Sequence, residues 1–210
     1  MKYCECFMGT KQDISEEMLL LLFLDHSQNH ADSIKIFTDG SKSDAGVGFG
    51  VSFPDFNRNG RLPEQSSIFT AECYAVLVAL KEIASRPKEN YIICCDSKSV
   101  LQAIGHFNTF HPVVLEMMEW LHLLKSRAIQ VSFCWSPAHI GIAGNEKADS
   151  LAKAAINNNT IIRCPLPASD VFPMIHSVIS DAWNFSWQLE NQKMREIARS
   201  IQPWKYSSLK

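Results

Sequence analysis

The stretch IKIFTDGS at residues 34–41 sets the pattern on which the chain is organised. Apolar and polar residues alternate up to Asp39, which predicts a short strand that ends at a carboxylate. Two later stretches, IICCDS at residues 92–97 and GNEKAD at residues 144–149, supply the further acids Asp96 and Asp149, and Glu72 lies on a predicted helix between Asp39 and Asp96. Because ligands bind outside the carboxyl ends of strands in open α/β sheets, we expect these four acids to meet in space.

The pattern that follows predicts a mixed α/β sheet. Val47, Phe49 and Val51 alternate with Gly48 and Gly50, which predicts a strand whose glycine face another backbone or a ligand approaches closely. The later predicted elements are a turn at 54–60, a third strand at 61–69, a helix at 70–85, a strand at 91–95, helices at 97–104 and from 112, a strand at 129–135, a loop at 136–144 and a helix at 145–155. Three hairpin-like strands followed by alternating helices and strands indicate a five-stranded mixed sheet, antiparallel and then parallel, with helices on both faces.

The chain ends extend this predicted domain on both sides. Residues 15–24 show a helical pattern, and the polar residues 26–32 are typical of a linker. A helix capped near Ser169 and Asp170 is predicted in the tail, with apolar positions at 172, 175, 179, 183 and 187, which we expect to pack on the main domain or on a partner. The predicted division is therefore a helical N-terminal extension at 1–32, a catalytic domain at 33–156 and a helical C-terminal extension at 157–210.

Composition bounds the function classes. The 210 residues carry 20 basic and 22 acidic side chains, a formal net charge of −2, which argues against a protein that grips nucleic acid by overall charge alone. An acidic site offset by bound metal ions would still permit nucleic-acid binding. The leucine-rich run at 18–24 is too short to span a bilayer, and we predict neither a membrane partner nor a small-molecule cofactor.

Cysteine usage predicts an intracellular protein, with nucleus or cytoplasm left open. There are seven cysteines, an odd number, and most lie within apolar strand or helix patterns, as expected of free thiols in a reducing compartment. Cys4 and Cys6 have no matching distal Cys or His pair, so the sequence does not predict a zinc site. No secretory signal is evident near the first residues.

Each acid has a structural interpretation as well as a functional one. Hard divalent cations bind several carboxylate oxygens, and two such ions about 3.5–4 Å apart promote phosphodiester cleavage. Yet Asp39 with Gly40 could form a turn, Glu72 could be a first-turn acid favoured by the helix dipole, and Asp96 could cap a helix. Asp149 could be a solvated helix residue, and His139 a loop hydrogen-bonding group. The pattern alone leaves both interpretations open.

At these residues the sequence resembles the type 1 ribonuclease H family. The matching blocks, in order, are FTDGS at 37–41, TAE at 70–72, CDS at 95–97, and Trp135 with His139, followed by GNEKAD at 144–149. The resemblance spans about residues 33–155 and implies the ribonuclease H-like fold. It also implies endonucleolytic hydrolysis of the RNA strand of RNA–DNA hybrids, leaving a 5′-phosphate and a 3′-hydroxyl.

The resemblance also implies roles for single residues. Asp39, Glu72, Asp96 and Asp149 would bind two Mg²⁺ ions, with Mn²⁺ as a substitute, and His139 would assist proton movement or product release. The residues implied to line the hybrid-binding groove are Thr38, Gly40, Ser41, Ser97 and Asn145. RNA selectivity would come from contacts to the 2′-hydroxyl.

Within that family the chain resembles the ribonuclease H regions of non-LTR retrotransposon polyproteins. IFTAE at 68–72, WSPAHIG at 135–141 and the pair Trp183 and Trp187 carry this resemblance. It implies a reverse transcriptase of the same element as a partner, and a detached piece of such an element, because the chain holds no polymerase. A separate hybrid-binding domain and a basic helix insertion between 105 and 129, both present in well-known members, are not found in the sequence.

Two alternative functions follow from these features. The first is a catalytically inactive nucleic-acid-binding remnant or assembly module of a retroelement, which the slight negative charge favours. The second is a related integrase or junction resolvase acting on DNA, which the TAE helix and the His139 loop disfavour.

Overall fold

The computed structural model describes residues 15–105 and 109–190. Within them the chain forms five strands and six helices. In chain order these are α1 (Glu16–Asn29), β1 (Ile34–Ser43), β2 (Gly46–Ser52), β3 (Asn57–Leu62), α2 (Ile68–Ala84), β4 (Asn90–Cys95), α3 (Lys98–Gly105), α4 (Pro112–Ser126), β5 (Gln130–Trp135), α5 (Ala143–Ala155) and α6 (Ala168–Glu190). None of the helices in this described part is long and apolar enough to cross a membrane.

The strands form one sheet in the order β3-β2-β1-β4-β5. β1 pairs with β2, and β2 with β3, in antiparallel fashion. β1 pairs with β4, and β4 with β5, in parallel fashion. The predicted mixed sheet, antiparallel and then parallel, is confirmed.

Helices cover both faces of this sheet. On one face, strand residues such as Ile36, Phe49 and Ile93 form a buried cluster with apolar residues of α2, α3 and α4. On the other face, Phe23 of α1 joins a second cluster with strand residues that include Ile92. Since neighbouring residues of a strand point to opposite faces, the apolar run of β4 serves both clusters. Strand β4 is therefore buried on both sides.

The glycines of β2 let α5 lie directly on the sheet. A Cβ on Gly48 would collide with the carbonyl oxygen of Ala152. A Cβ on Gly50 would lie 2.6 Å from the backbone nitrogen of Ala152. The close approach predicted from the alternating glycines is thus confirmed, and the approaching backbone is a helix. This contact fixes the position of α5, which carries Asp149.

We expect Gly50→Ala to destabilise the protein by about 1–3 kcal/mol, because the added methyl group overpacks the contact between β2 and α5. The measurement is the free energy of unfolding in urea. An unchanged free energy of unfolding would contradict the close packing of α5 described above.

Three predicted boundaries were wrong. β1 does not end at Asp39 but continues to Ser43, because residues 40–43 pair with β2. The third strand is Asn57–Leu62 and not 61–69, since the polar residues placed in a turn pair with β2, and residues 68 and 69 already belong to α2. The polar residues 26–29, predicted as linker, continue α1.

The chain separates into two compact units, Met1–Pro167 and Ala168–Lys210. In the first unit, α1 confirms the helix predicted at residues 15–24, and it buries Leu19 and Phe23. Helix α6 of the second unit confirms the helix predicted in the tail. The packing of this tail on the main domain or a partner stays a prediction, as do the functional boundaries 1–32, 33–156 and 157–210.

The described cysteines, Cys73, Cys94, Cys95, Cys134 and Cys164, are free thiols, and all but Cys164 are buried. This agrees with the interpretation of buried thiols in apolar elements. Cys4 and Cys6 lie outside the described residues.

Candidate active site

Asp39 and Asp96 are neighbours at the junction of β1 and β4. The parallel register pairs Thr38 with Cys95, so that the next residue of each chain segment is an aspartate. Asp39 lies within β1 and is only 7% exposed, whereas Asp96 is the first residue after β4. The sheet therefore places two carboxylates side by side, one inside a strand and one at a strand end.

Glu72 reaches this junction from α2. The side chain of Ser67 caps the helix by accepting a hydrogen bond from the Thr70 backbone nitrogen at 3.1 Å. Because α2 begins at Ile68, Glu72 lies in the second turn, and the alternative of a first-turn acid favoured by the helix dipole is wrong. A Cβ on Gly40 would lie 2.7 Å from the backbone nitrogen of Glu72, so α2 rests directly on β1 beside Asp39.

Gly40→Ala is expected to lower kcat/KM by about a hundredfold, since a displacement of α2 by about 1 Å would carry Glu72 away from Asp39. The rate is measured per folded protein, with the folded fraction taken from a denaturation curve. Full activity of a folded Gly40→Ala variant would show that the position of α2 against β1 does not matter.

Asp149 reaches the same place from α5. The helix buries Asn145, Ala148 and Ala152, and Asp149 lies at the border of this buried face. One of its carboxylate oxygens lies 2.7 Å from the ammonium of Lys153, one turn later. This i,i+4 ion pair was not predicted, although the spacing of the two residues was the available signal.

The charges of the other three acids act on Asp39. Burial raises the pKa of Asp39 to about 8, and the charges of Asp96, Asp149 and Glu72 add to that rise. Burial also raises the pKa of Glu72, with a contribution from the charge of Asp96. The pKa of Asp96 is raised as well, chiefly by burial. Four segments that are distant in sequence thus bring their carboxylates into one electrostatic cluster, which we call the acidic site.

Hydrogen bonds and an ion pair from neighbouring residues position the carboxylates of the acidic site. Asp39 accepts a hydrogen bond from the backbone nitrogen of Gly40 at 2.8 Å, and Asp149 is paired with Lys153. Hydrogen bonds from Ser97 to Glu72 and from Asn145 to Asp96 lower the pKa of each acid. Among residues 15–105 and 109–190, no group of three or more His, Cys, Asp or Glu side chains is close enough to hold a metal ion.

The donor set nevertheless fits a hard divalent cation. All four groups offer carboxylate oxygens, which Mg²⁺ and Mn²⁺ prefer. The side-chain oxygen of Asn145 is buried without a hydrogen-bond partner beside Asp96 and is a further oxygen donor. A bound cation would also offset the two effects that raise the pKa of Asp39, namely the cost of a buried charge and the repulsion by the neighbouring acids.

A sequence model of the RNase H family matches residues 31–157, more than half of the chain. The chain belongs to the ribonuclease H family. Its enzyme class is therefore that of an RNA–DNA hybrid ribonuclease, and the family generally uses divalent metal ions.

Solved structures of ribonucleases H are similar to this chain. The N-terminal RNase H domain of Rv2228c from Mycobacterium tuberculosis, solved as a fusion with maltose-binding protein, is 23% identical, with 60% of this chain and 95% of that chain covered and a TM-score of 0.46. RNase H1 from the halophilic archaeon Halobacterium salinarum is 22% identical, with 60% and 98% covered and a TM-score of 0.46. LC11-RNase H1, obtained from compost and solved with an RNA/DNA hybrid, is 19% identical, with 60% and 97% covered and a TM-score of 0.48.

The groove residues expected of a ribonuclease H differ in their exposure. Gly40 and Ser41 are partly exposed, whereas Ser97 and Asn145 are 8% and 3% exposed and are hydrogen-bonded to Glu72 and Asp96. Thr38 is fully buried, which does not agree with its predicted place on the groove surface.

His139 lies on the loop between β5 and α5 of this ribonuclease H. It is exposed and has a φ of 60°, in the left-handed region that non-glycine residues rarely adopt. The electrostatic influence of His139 works to lower the pKa of Asp96, against the larger effect of burial. The structure thus places His139 near the acidic site on a solvent-facing loop.

Proposed function

We propose that this ribonuclease H hydrolyses the RNA strand of RNA–DNA hybrids endonucleolytically by a two-metal-ion mechanism. Asp39, Glu72, Asp96 and Asp149 would hold two Mg²⁺ ions, and Mn²⁺ would substitute. The observation that carries the proposal is the convergence of these acids from β1, α2, the end of β4 and α5, seen in their effects on the pKa of Asp39.

When bound by these acids, the metal ions would supply activation of the attacking water and stabilisation of the leaving oxygen. The residues of the chain provide the remaining functions. Asp39 is held rigidly within a strand, which gives the acidic site a fixed centre. His139, exposed and close enough to act on Asp96, would move a proton to or from the reacting oxygens and assist product release. The products would be a 5′-phosphate and a 3′-hydroxyl.

A cleavage assay with three labelled substrates tests the proposal. The purified chain is incubated with an RNA–DNA hybrid, double-stranded RNA and duplex DNA, with Mg²⁺ and with EDTA. We expect cleavage of the RNA strand of the hybrid in the presence of Mg²⁺, and no cleavage in EDTA. Binding of the hybrid without cleavage would identify the inactive-remnant alternative. Metal-dependent cleavage of duplex DNA would identify the integrase or resolvase alternative.

A retrotransposon origin, with a reverse transcriptase of the same element as partner, is a separate proposal. It is supported by the sequences at 68–72 and 135–141. The slight negative charge also favours a partner that supplies substrate affinity. We expect addition of such a reverse transcriptase to lower the KM for the hybrid; an unchanged KM would argue against it.

An intracellular location, in the nucleus or the cytoplasm, is also proposed from the free thiols of the described residues. Fractionation of expressing cells tests this proposal, and recovery of the chain in the secreted fraction would contradict it.

A further inference from the structure

The end of β5 holds the end of β4 at two successive carbonyl groups. Cys95 and Trp135 are paired as the last residues of these parallel strands. The backbone nitrogen of Ser136 donates a hydrogen bond to the Cys95 carbonyl oxygen at 2.9 Å. The indole nitrogen of Trp135 donates to the next carbonyl oxygen, that of Asp96, also at 2.9 Å. A side chain thus continues the sheet pairing for one residue beyond the strand.

The side chain of Trp135 is largely buried, and its hydrogen bond to Asp96 is partly buried. The residue is 7% exposed, and the ammonium of Lys98 lies 4.4 Å from the centroid of its ring. A cation over an indole face is attracted by the ring electrons, so the exposed Lys98 side chain acts as a cover for the ring. A hydrogen bond that is partly removed from water is electrostatically stronger than a fully solvated one.

The consequence concerns the orientation of the Asp96 carboxylate. With the carbonyls of Cys95 and Asp96 both bound, the peptide groups on either side of the Asp96 Cα cannot rotate freely. The Cα–Cβ bond of Asp96 therefore keeps a fixed direction, although Asp96 itself lies outside the strand, and the charge of its carboxylate acts on Asp39. Without the indole N–H, the Cys95 carbonyl would keep its hydrogen bond and the Asp96 carbonyl would lose the one from Trp135.

We propose that Trp135 is a positioning residue of the acidic site, which holds the backbone of Asp96 through its indole N–H while Lys98 covers the ring. This inference rests on the proposed function, because it takes Asp96 to be a metal ligand. Partners that orient metal ligands typically change metal affinity or activity by about 10- to 100-fold when they are removed.

The test uses Trp135→Phe, which removes the N–H donor and keeps an aromatic ring. Mn²⁺ affinity of the free protein is measured by calorimetry, and kcat and KM are measured with the hybrid. We expect Mn²⁺ affinity and kcat each to fall about tenfold, with KM changed by less than about twofold. The control is Trp120→Phe, the same substitution at a partly buried position on α4 in the core, which should change neither quantity.

A second variant separates the hydrogen bond from the packing of the ring. Benzothienylalanine at position 135 keeps the bicyclic ring but replaces the N–H by sulfur, and should reproduce the loss seen with Trp135→Phe. Unchanged Mn²⁺ affinity and kcat in both variants, with only a lower melting temperature, would overturn the inference and leave the proposed function standing. A wild-type chain that neither binds Mn²⁺ nor cleaves the hybrid would overturn both.

Discussion

Asp39→Asn is expected to lower Mg²⁺-dependent cleavage of an RNA–DNA hybrid by at least about a thousandfold, equivalent to roughly 4 kcal/mol of transition-state stabilisation. Asp39 is the acid on which the charges of Asp96, Asp149 and Glu72 all act. The amide has nearly the same shape as the carboxylate and can still accept the hydrogen bond from Gly40. The loss should therefore appear in kcat, with the Kd for the hybrid changed by less than about threefold.

Asp44→Asn is the matched control for this prediction. Asp44 is exposed in the turn between β1 and β2, and its substitution changes the net charge by the same amount. We expect its kcat and its Kd for the hybrid to equal those of the wild type. Undiminished cleavage by Asp39→Asn would remove the basis for placing the metal ions at the acidic site.

The second large effect is a dependence of stability on pH in the absence of metal. The pKa of Asp39 rises from 3.8 to about 8 in the folded chain, so the folded state binds a proton more tightly than the unfolded state. Stability is therefore highest below about pH 4 as far as this group is concerned, and it falls as the pH rises from 4 to 8. We expect Asp39→Asn in EDTA to be more stable than the wild type at pH 8, by about 2–4 kcal/mol.

Urea denaturation at pH 5, 7 and 9 in EDTA measures this effect, again with Asp44→Asn as control. The difference between Asp39→Asn and the wild type should grow with pH. Added Mg²⁺ should stabilise the wild type and leave Asp39→Asn nearly unchanged, since ligand binding to the folded state alone raises its stability. Parallel stability curves for the two proteins would show that Asp39 is not held in a repulsive environment.

The fold was largely predictable because its elements have strong local patterns. The continuous apolar run of β4 is typical of a strand that is buried on both faces. The alternating glycines of β2 are typical of a strand that another backbone approaches closely, here that of a helix. The errors arose where pairing with a distant segment decides the outcome. Asn57 and Asn59 look like turn residues, yet they pair with Ser52 and Gly50 of β2. Local propensity cannot reveal such a partner.

The proximity of the four acids was predictable, whereas the contacts around them were not. Each of Asp39, Glu72, Asp96 and Asp149 had an ordinary local explanation, and only their common order and spacing joined them. The sequence did not show that Asp149 pairs with Lys153, or that the N–H of Trp135 reaches Asp96. Side-chain contacts of this kind depend on how helices and strands are placed against each other, which the residue pattern leaves undetermined.

Anomalous diffraction from Mn²⁺-soaked crystals of the wild-type chain tests the central claim most directly, because it locates the metal without reference to activity. The account predicts an anomalous peak about 2.1 Å from a carboxylate oxygen of Asp39 and in contact with at least one of Glu72, Asp96 and Asp149. Anomalous peaks found only at other positions, with none at Asp39, would contradict it.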